Sequence, residues 1–181
     1  TAVGYESLAN NTTGQSNSAF GYFSLLNNTI GNYNSAFGYY ALKFNTTGTS
    51  NTAVGVSALQ SNTIGANNTS VGYNNLRFNT TGSFNSGFGV NSLTGNTIGQ
   101  HNTAFGYRTL FSNTTGSYNA AIGHDAGRYL ANGSTDNTTS DYSVYLGSNT
   151  KASASNAQNE IVIGYNAIGA GNNTIQLGSS T

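Results

Sequence analysis

The stretch Thr52–Asn68, TAVGVSALQSNTIGANN, is one copy of a 17-residue unit that runs without insertion from Thr1 to Asn119. One invariant glycine per copy sets the register, because successive members are 17 residues apart. These glycines are Gly4, Gly21, Gly38, Gly55, Gly72, Gly89, Gly106 and Gly123. A unit this short and regular predicts a solenoid, in which each repeat forms one coil and stacks on its neighbours. We number the unit from position 1, occupied by Thr52, to position 17, occupied by Asn68.

The composition of the unit favours strands over helices. Each copy carries glycine at positions 4 and 14 and many Asn, Thr and Ser residues, all of which disfavour a helix. Short apolar stretches such as Thr52–Val54 and Asn62–Ile64, each closed by a glycine, predict two short strands and two turns per coil. Each strand would pair in parallel with its equivalent one repeat away, about 4.8 Å along the axis. The sequence therefore predicts an all-β fold, a parallel β-solenoid (β-roll) of 17-residue repeats.

The invariant positions predict columns of equivalent side chains along the solenoid. Position 11 is always Asn, and because a carboxamide both donates and accepts, stacking predicts a buried structural ladder of amides. Its members are Asn11, Asn28, Asn45, Asn62, Asn79, Asn96 and Asn113. Leucine at position 8 and Val, Phe or Ile at position 3 predict an apolar stripe, and tyrosine at position 5 predicts an aromatic stack.

Two features of the unit leave alternatives open. Position 13 alternates between Thr and Ile, either because pairs of units were duplicated or because alternate coils face different surroundings; the other positions do not alternate cleanly, which favours duplication. Asn-Xaa-Thr sequences such as Asn45–Thr47 are either glycosylation sites or turns. Asn62 is followed by Thr63 and Ile64, which is no glycosylation sequence, yet the asparagine is retained, so we favour a structural role.

The charge pattern narrows the range of partners. Only 6% of the residues are charged, against about 25% in typical soluble domains, and the formal net charge is zero. The five cations are scattered along the sequence: Lys43, Arg77, Arg108, Arg128 and Lys151. We therefore expect no nucleic-acid partner and no attraction to an anionic membrane. No apolar run approaches the roughly 20 residues of a membrane span, so we expect no membrane insertion in this segment.

The regular array decays after Gly123, and the chain divides into three parts. These are regular repeats at residues 1–123, an irregular insertion at 124–141 and divergent terminal β coils at 142–181. In the last part a glycine-ended apolar motif returns three times, at Gly147, Gly164 and Gly178. Since the chain begins at the first position of a repeat and has no initiator Met, we expect it to be part of a longer protein.

Groups that could perform chemistry are few. The one cluster is His124, Asp125, Asp136 and Asp141, either a receptor-contact or divalent-cation loop, since hard cations prefer oxygen ligands, or a polar surface excursion where the repeat ends. The second interpretation is favoured because no ligand spacing matches a calcium loop. Ser and Thr are abundant, but a hydroxyl nucleophile without a neighbouring base is inert. We expect no enzymatic activity, no catalytic residue, no cofactor and no metal.

Three motifs resemble known fibre repeats: SAFGYYAL at Ser35–Leu42, NTAVGVSAL at Asn51–Leu59 and NEIVIGYNAIGAGNNTIQLG at Asn159–Gly178. They resemble the head repeats of trimeric autotransporter adhesins, and equally the shaft repeats of phage tail fibres. The resemblance covers nearly the whole chain. It implies a left-handed parallel β-roll assembled as a homotrimer and exposed on a bacterial cell surface or a virion.

The function expected from these observations is a structural or adhesive fibre segment in an extracellular location. It would space or present binding to a receptor, with a cell-surface glycan as the expected class and a protein as the other. A separate reason to expect a homotrimer is that so thin a coil cannot bury the Val/Phe, Tyr and Leu columns together. The alternatives are an ice-binding β-solenoid, because threonine recurs at regular spacing, and a non-catalytic part of a polysaccharide-degrading tail fibre.

Overall fold

The computed structural model describes residues 1–179, and this part of the chain is all-β and contains no helix. Eleven strands form one sheet in the order β1 to β8, β10, β12, β13, and β9 pairs with β11 in a second, two-stranded sheet. Consequently, no helix within residues 1–179 is available to cross a membrane. The strands are β1 Ala2–Val3, β2 Ser18–Phe20, β3 Ser35–Phe37, β4 Thr52–Val54, β5 Thr69–Val71, β6 Ser86–Phe88, β7 Thr103–Phe105, β8 Ala120–Ile122, β9 Tyr129–Leu130, β10 Val144–Leu146, β11 Lys151–Ala152, β12 Ile161–Ile163 and β13 Ile175–Leu177.

The pairing of the strands confirms the predicted parallel β-solenoid. Ala53 of β4 pairs with Ala36 of β3 on one side and with Ser70 of β5 on the other, and all three lie in parallel strands. Each partner is one 17-residue unit away, so every repeat of the array makes one coil. The last coils are unequal in length, because β10 follows β8 at a longer interval and β13 follows β12 at a shorter one.

Each coil of the regular array has one strand, and the second strand predicted at Asn-Thr-Ile-Gly is wrong. In that stretch three consecutive N–H groups, of Thr29, Ile30 and Gly31, all donate to the carbonyl of Thr46 in the next coil, at 2.9, 3.3 and 3.3 Å. An extended strand points successive N–H groups to opposite sides, so convergence on a single acceptor requires a tight turn. The same β-prone residues therefore form a bend here, and local propensity does not distinguish such a bend from a strand.

Outside the strands, the coils are held together by backbone hydrogen bonds that run along the axis. The N–H of Tyr40, at position 6, donates to the preceding coil, and that of Leu42, at position 8, donates to the following coil, both at 3.0 Å. Residues at positions 6, 8 and 16 have positive φ in every copy of the array, for example 62° at Tyr40 and 51° at Leu42. This left-handed conformation costs a non-glycine residue roughly 1–2 kcal/mol. It is adopted because it turns these N–H groups toward an adjacent coil.

The core consists of narrow columns at positions 2, 7 and 8, with mostly small residues such as alanine at positions 2 and 7 and leucine at position 8. Ala53 and Leu59 are both fully buried, and their equivalents occupy the same places in neighbouring coils. The prediction that position 3 joins leucine in one apolar stripe is wrong, because Val54 is 38% exposed. Successive side chains of a strand point to opposite sides, so position 2 faces inward while positions 1 and 3 face outward.

The irregular part of the chain is narrower than the predicted insertion at 124–141. Asp125 donates its N–H to the carbonyl of Tyr107 at 2.9 Å, and Thr114 donates to Thr138 at 2.9 Å, both as in the array. The coil register therefore continues through Tyr129 and resumes at Asn137. Leu130 ends β9, and residues 131–136 form an exposed turn between β9 and Asn137.

Candidate functional site

The position-11 asparagines form a continuous ladder of side-chain amides. Asn62 Nδ2 donates to Asn45 Oδ1 at 2.8 Å, and its Oδ1 accepts from Asn79 Nδ2 at 2.9 Å. Asn62 Nδ2 also donates to the carbonyl of Gly65 at 2.9 Å, which fixes the plane of the amide. Each side-chain step in the column spans 2.7–2.9 Å. It connects Asn11, Asn28, Asn45, Asn62, Asn79, Asn96 and Asn113, and Asn62 is fully buried.

A second asparagine column, at position 17, is as invariant in the array as the first. Asn51 Oδ1 accepts from the backbone N–H of Asn68 at 3.0 Å, and Asn51 Nδ2 donates to the carbonyl of Gly65 at 2.8 Å. Asn51 is fully buried. Like the position-11 column, this column links like side chains, since Asn51 Nδ2 also donates to Asn34 Oδ1 at 3.1 Å. It differs in accepting a backbone N–H as well, which ties the strand of one coil to the turn of the next. The signal that identifies both is the same, an invariant amide once per repeat.

The four candidate loop residues do not converge on one point. Asp125 contacts Arg128 at 2.9 Å and His124 at 3.2 Å, so its carboxylate is already paired. Asp141 Oδ1 instead accepts from the backbone N–H of Ser117 at 2.7 Å, and Asp136 lies in the exposed turn at residues 131–136. Within residues 1–179, no group of three or more ligating side chains is arranged to hold a metal ion.

The outward side chains of positions 1 and 3 form a long face, called here the strand face. Phe20 and Phe37 stack on it with ring centroids 5.0 Å apart. Toward the C-terminal end the serine and threonine of position 1 give way to aliphatic residues, and Ile175 and Leu177 are 66% and 69% exposed. Exposed apolar side chains therefore follow the sheet from its first strand to its last.

A second surface, called here the cationic face, is formed by the side chains of positions 5, 6, 9 and 10. Near the N-terminus it is covered with aromatic rings, and Tyr22 stacks on Tyr39 at 5.4 Å while Tyr39 stacks on Tyr40 at 3.9 Å. This stacking confirms the predicted aromatic column at position 5 for Tyr5, Tyr22 and Tyr39, whereas Tyr73 lies between coils that carry valine there and has no tyrosine beside it. Because the rings cover one another's faces, they present mainly edges and hydroxyl groups to solvent.

The five cations are far apart in the sequence, but the fold brings four of them together on the cationic face. Each lies over an aromatic ring. The distances from the charged group to the ring centroid are 4.2 Å for Lys43 over Tyr40, 5.1 Å for Arg77 over Phe78, 5.0 Å for Arg108 over Tyr107 and 4.5 Å for Arg128 over Tyr129. Such contacts contribute about 0.5–1 kcal/mol each at exposed sites. Among the described residues, only Arg128 of these four has a carboxylate partner.

A third column of rings follows position 16 over four coils. Phe84, His101, Tyr118 and Tyr142 stack with centroid separations of 4.8, 4.7 and 5.0 Å and nearly parallel planes. His101 is exposed and is held between the rings of Phe84 and Tyr118, a contact that sequence reasoning did not predict. The neighbours were not recognisable because position 16 varies from copy to copy.

Buried ionisable groups occur only in the C-terminal coils among the described residues. Burial raises the pKa of Tyr145 to about 12, the charge of Glu160 adds to that rise, and the nearby Ser140, Ser143 and Asn137 side chains lower it only in part. No partner meets hydrogen-bond geometry with Tyr145 Oη. The fully buried Glu160 carboxylate accepts from the backbone N–H groups of Ser153 and Gly171, at 3.2 and 3.1 Å.

Comparisons with models of protein families, with curated proteins and with solved structures found no match to this chain.

Proposed function

We propose that this chain is a rigid segment of an extracellular fibre, on a virion or a bacterial surface, that spaces or presents a receptor-binding surface. The observation that carries this proposal is the unbroken eleven-stranded stack. At about 4.8 Å per strand it spans roughly 50 Å, and the amide and leucine columns run through most of that length. A continuous stack of identical contacts resists bending, which is the property that a spacer needs.

The proposed assembly is a homotrimer in which the strand faces meet. Val54, Ile175 and Leu177 are exposed on this face, and contiguous apolar surface of this extent is typical of an interface. The face is straight and as long as the sheet, so side-by-side packing of equal rods would cover it along its whole length. The choice of three copies rests on the resemblance to adhesin heads and tail fibre shafts.

Sedimentation equilibrium at micromolar concentration tests this assembly. We expect a trimer for the unmodified chain and dissociation for Ile175→Ser/Leu177→Ser. Ile64→Ser is the matched control, because Ile64 is 56% exposed but lies at position 13, away from the strand face. A stable monomer of the unmodified chain, or equal loss of trimer in the control, would contradict the proposed interface.

A cell-surface glycan is the proposed receptor class. The exposed rims of the tyrosine columns carry hydroxyl groups, and Asn, Ser and Thr side chains surround them, so hydrogen bonds to sugar hydroxyls are available along the rod. A glycan array tests for binding, and a hydrolysis assay then tests whether a bound glycan is cleaved. Binding without turnover is expected, whereas cleavage of a bound glycan would favour an enzyme.

The ice-binding alternative has weaker support. At position 12, Thr63 Oγ1 donates to the carbonyl of Thr80 at 3.0 Å, so this threonine row is already engaged within the solenoid. The adjacent position 13 alternates between Thr and the exposed Ile64 type, and the strand face carries bulky Phe37. Neither surface offers a flat, continuous threonine array. An ice recrystallisation assay in which the chain inhibits crystal growth would restore this alternative.

A further inference from the structure

The middle of the rod carries positive charge on one side. No Asp or Glu occurs between Glu6 and Asp125, whereas three cations do, and all three lie on the cationic face: Lys43, Arg77 and Arg108. Their ring contacts place them on one continuous surface, because Lys43 reaches the position-6 and position-10 rings and Arg108 lies over the position-9 ring of Phe111 at 5.8 Å. The net charge of the chain is zero, yet the middle of the rod therefore carries its positive charges on one side.

The spacing of these cations follows from the coil geometry. Lys43 and Arg77 both occupy position 9, two coils apart, and Arg108 lies two coils beyond Arg77. At about 4.8 Å per coil, the charges recur about every 10 Å along the axis. A disaccharide in an extended linear polysaccharide has a similar length.

The cations are held in place but retain bonding capacity. Arg77 Nε donates to Gln60 Oε1 at 3.2 Å, which orients its guanidinium along the position-9 column. Arg108 Nε is shielded from solvent, whereas the two terminal nitrogens of its guanidinium are neither buried nor hydrogen-bonded among the described residues, so they are the groups that a ligand can reach. A planar guanidinium on an aromatic ring is well suited to bind a carboxylate, because two parallel N–H groups match its two oxygens.

We propose that the cationic face binds a linear acidic polysaccharide, with one carboxylate per disaccharide, lying along the rod. This inference rests on the proposed glycan-binding function and names its substrate class. Carboxylates would meet Lys43, Arg77 and Arg108 in turn, and the sugar hydroxyls between them would meet tyrosine hydroxyls and amides. A nucleic acid fits this surface less well. Its phosphates recur about every 3.4 Å along each strand of a duplex, so three cations would leave most of them without a partner.

Binding to hyaluronate, which has one carboxylate per disaccharide, tests the inference at low ionic strength. We expect the unmodified chain to bind it and not to bind the carboxyl-reduced polymer. Lys43→Gln/Arg77→Gln/Arg108→Gln should weaken binding by about tenfold or more. The matched control, Ser16→Asp/Ser50→Asp/Asn67→Asp, reaches the same net charge through exposed position-16 residues and should keep affinity within about threefold. Equal losses in the two variants would overturn the site.

The spacing is tested by moving one charge without removing it. Gln60 and Arg77 are neighbours in the position-9 column, so Gln60→Arg/Arg77→Gln shifts a cation by one coil, about 4.8 Å, at constant net charge. We expect an affinity about fivefold lower, because one carboxylate then misses its partner. Unchanged affinity would overturn the match between cations and disaccharides. Thermal unfolding of every variant confirms that the solenoid is intact.

The remaining outcomes separate this inference from the proposed function. Failure of the unmodified chain to bind hyaluronate, while it sediments as a trimer and binds a neutral glycan, would overturn the acidic-polysaccharide inference alone. A monomeric chain that binds no glycan would overturn both. A single-stranded oligonucleotide that binds as tightly as hyaluronate, with the same dependence on the three cations, would replace the polysaccharide with a nucleic acid.

Discussion

The array from Thr1 to Gly123 and the coils that follow it fill the same interior in different ways. The array repeats alanine at position 2, leucine at position 8 and asparagine at position 17. In the following coils Gly127 takes a leucine place, Tyr145 an alanine place and Glu160 an asparagine place. All three replacements change size or charge, yet Tyr145 and Glu160 are fully buried in coils that keep the parallel register.

The exchange between Gly127 and Tyr145 shows what a coil requires. A Cβ added at Gly127 would lie 2.7 Å from Tyr145 Cδ2 and 2.9 Å from Leu110 Cδ2, so the tyrosine ring fills the space that a leucine would occupy. A large residue in one column therefore compensates for a small one in the other. Total volume decides whether a coil is filled, whereas the amide ladder needs the same residue in successive coils.

The largest expected effect comes from breaking this compensation. Tyr145→Ala should cost about 3–5 kcal/mol, because it leaves a cavity on both columns. Tyr145→Ala/Gly127→Leu restores the pattern of the array and should recover most of that loss, since Gly127 has a φ of 64°, close to the positive φ of the position-8 leucines. Thermal melts compare the two. A double variant that melts no higher than Tyr145→Ala would refute the compensation.

A second comparison separates close stacking from backbone strain. Gly72 and Gly171 have φ values of 136° and 114°, but a Cβ at Gly72 would collide with the carbonyl oxygen of Gly89, while one at Gly171 meets nothing within 4 Å. We expect Gly72→Ala to cost about 2–5 kcal/mol and Gly171→Ala about 1–2 kcal/mol. Equal melting temperatures for the two variants would show that coil contact is not what requires glycine in the array.

A smaller loss of stability is expected from changing the amide ladder, which distinguishes the array from the C-terminal end. Asn62→Asp removes the donors to Asn45 and Gly65 and should cost about 1–3 kcal/mol. Asn67→Asp is the control, because Asn67 is exposed at position 16 with a φ of 57°, which aspartate tolerates. If Asn62→Asp melts no lower than Asn67→Asp under identical conditions, the ladder does not contribute to stability and its structural role is refuted.

The smallest expected effect is a change in the stability of the C-terminal coils at alkaline pH. Because burial raises the pKa of Tyr145 to about 12 from an ordinary value of 10, folding favours the neutral phenol. The stability that the folded protein gains from keeping this phenol neutral is complete below pH 10 and is lost as the pH rises through about 12. Tyr145→Phe should therefore melt close to the unmodified chain at neutral pH and gain relative to it above pH 10. A melting-temperature difference that does not change with pH would contradict this linkage.

The sequence predicted the features that depend on identity from copy to copy. The invariant glycines defined the coil, and the pairing of Ala36, Ala53 and Ser70 has that register. The errors concern the direction in which side chains point and in which the chain turns. The prediction put Val54 in one stripe with the leucines and a second strand at Asn62–Ile64, because apolar character alone does not reveal which side of a three-residue strand faces the core or where a turn occurs.

Which charged side chains share a surface was harder to predict, for a related reason. Lys43 and Arg108 are far apart in the chain and occupy different positions of the repeat, so their shared surface depends on how positions 6 and 9 curve around one coil. Likewise, Asp125 and Asp141 are close in sequence but lie on separate parts of the coil, where one pairs with Arg128 and the other with the backbone of Ser117. Such groupings follow from the path of the turns, which the repeat pattern does not encode directly.

The axial hydrogen bonds between coils have a mechanical consequence. The strands lie across the rod, so tension on its two ends peels these bonds apart one after another instead of loading them together. A coil of 17 residues occupies about 4.8 Å of rod but extends to about 58 Å once released. We expect single-molecule force–extension traces to show steps of roughly 50 Å; one abrupt rupture of the whole rod would refute this. A fibre segment built in this way stays stiff under bending and lengthens by coils under a pull, so that it dissipates the work of a sudden load before the attachment at its end is torn away.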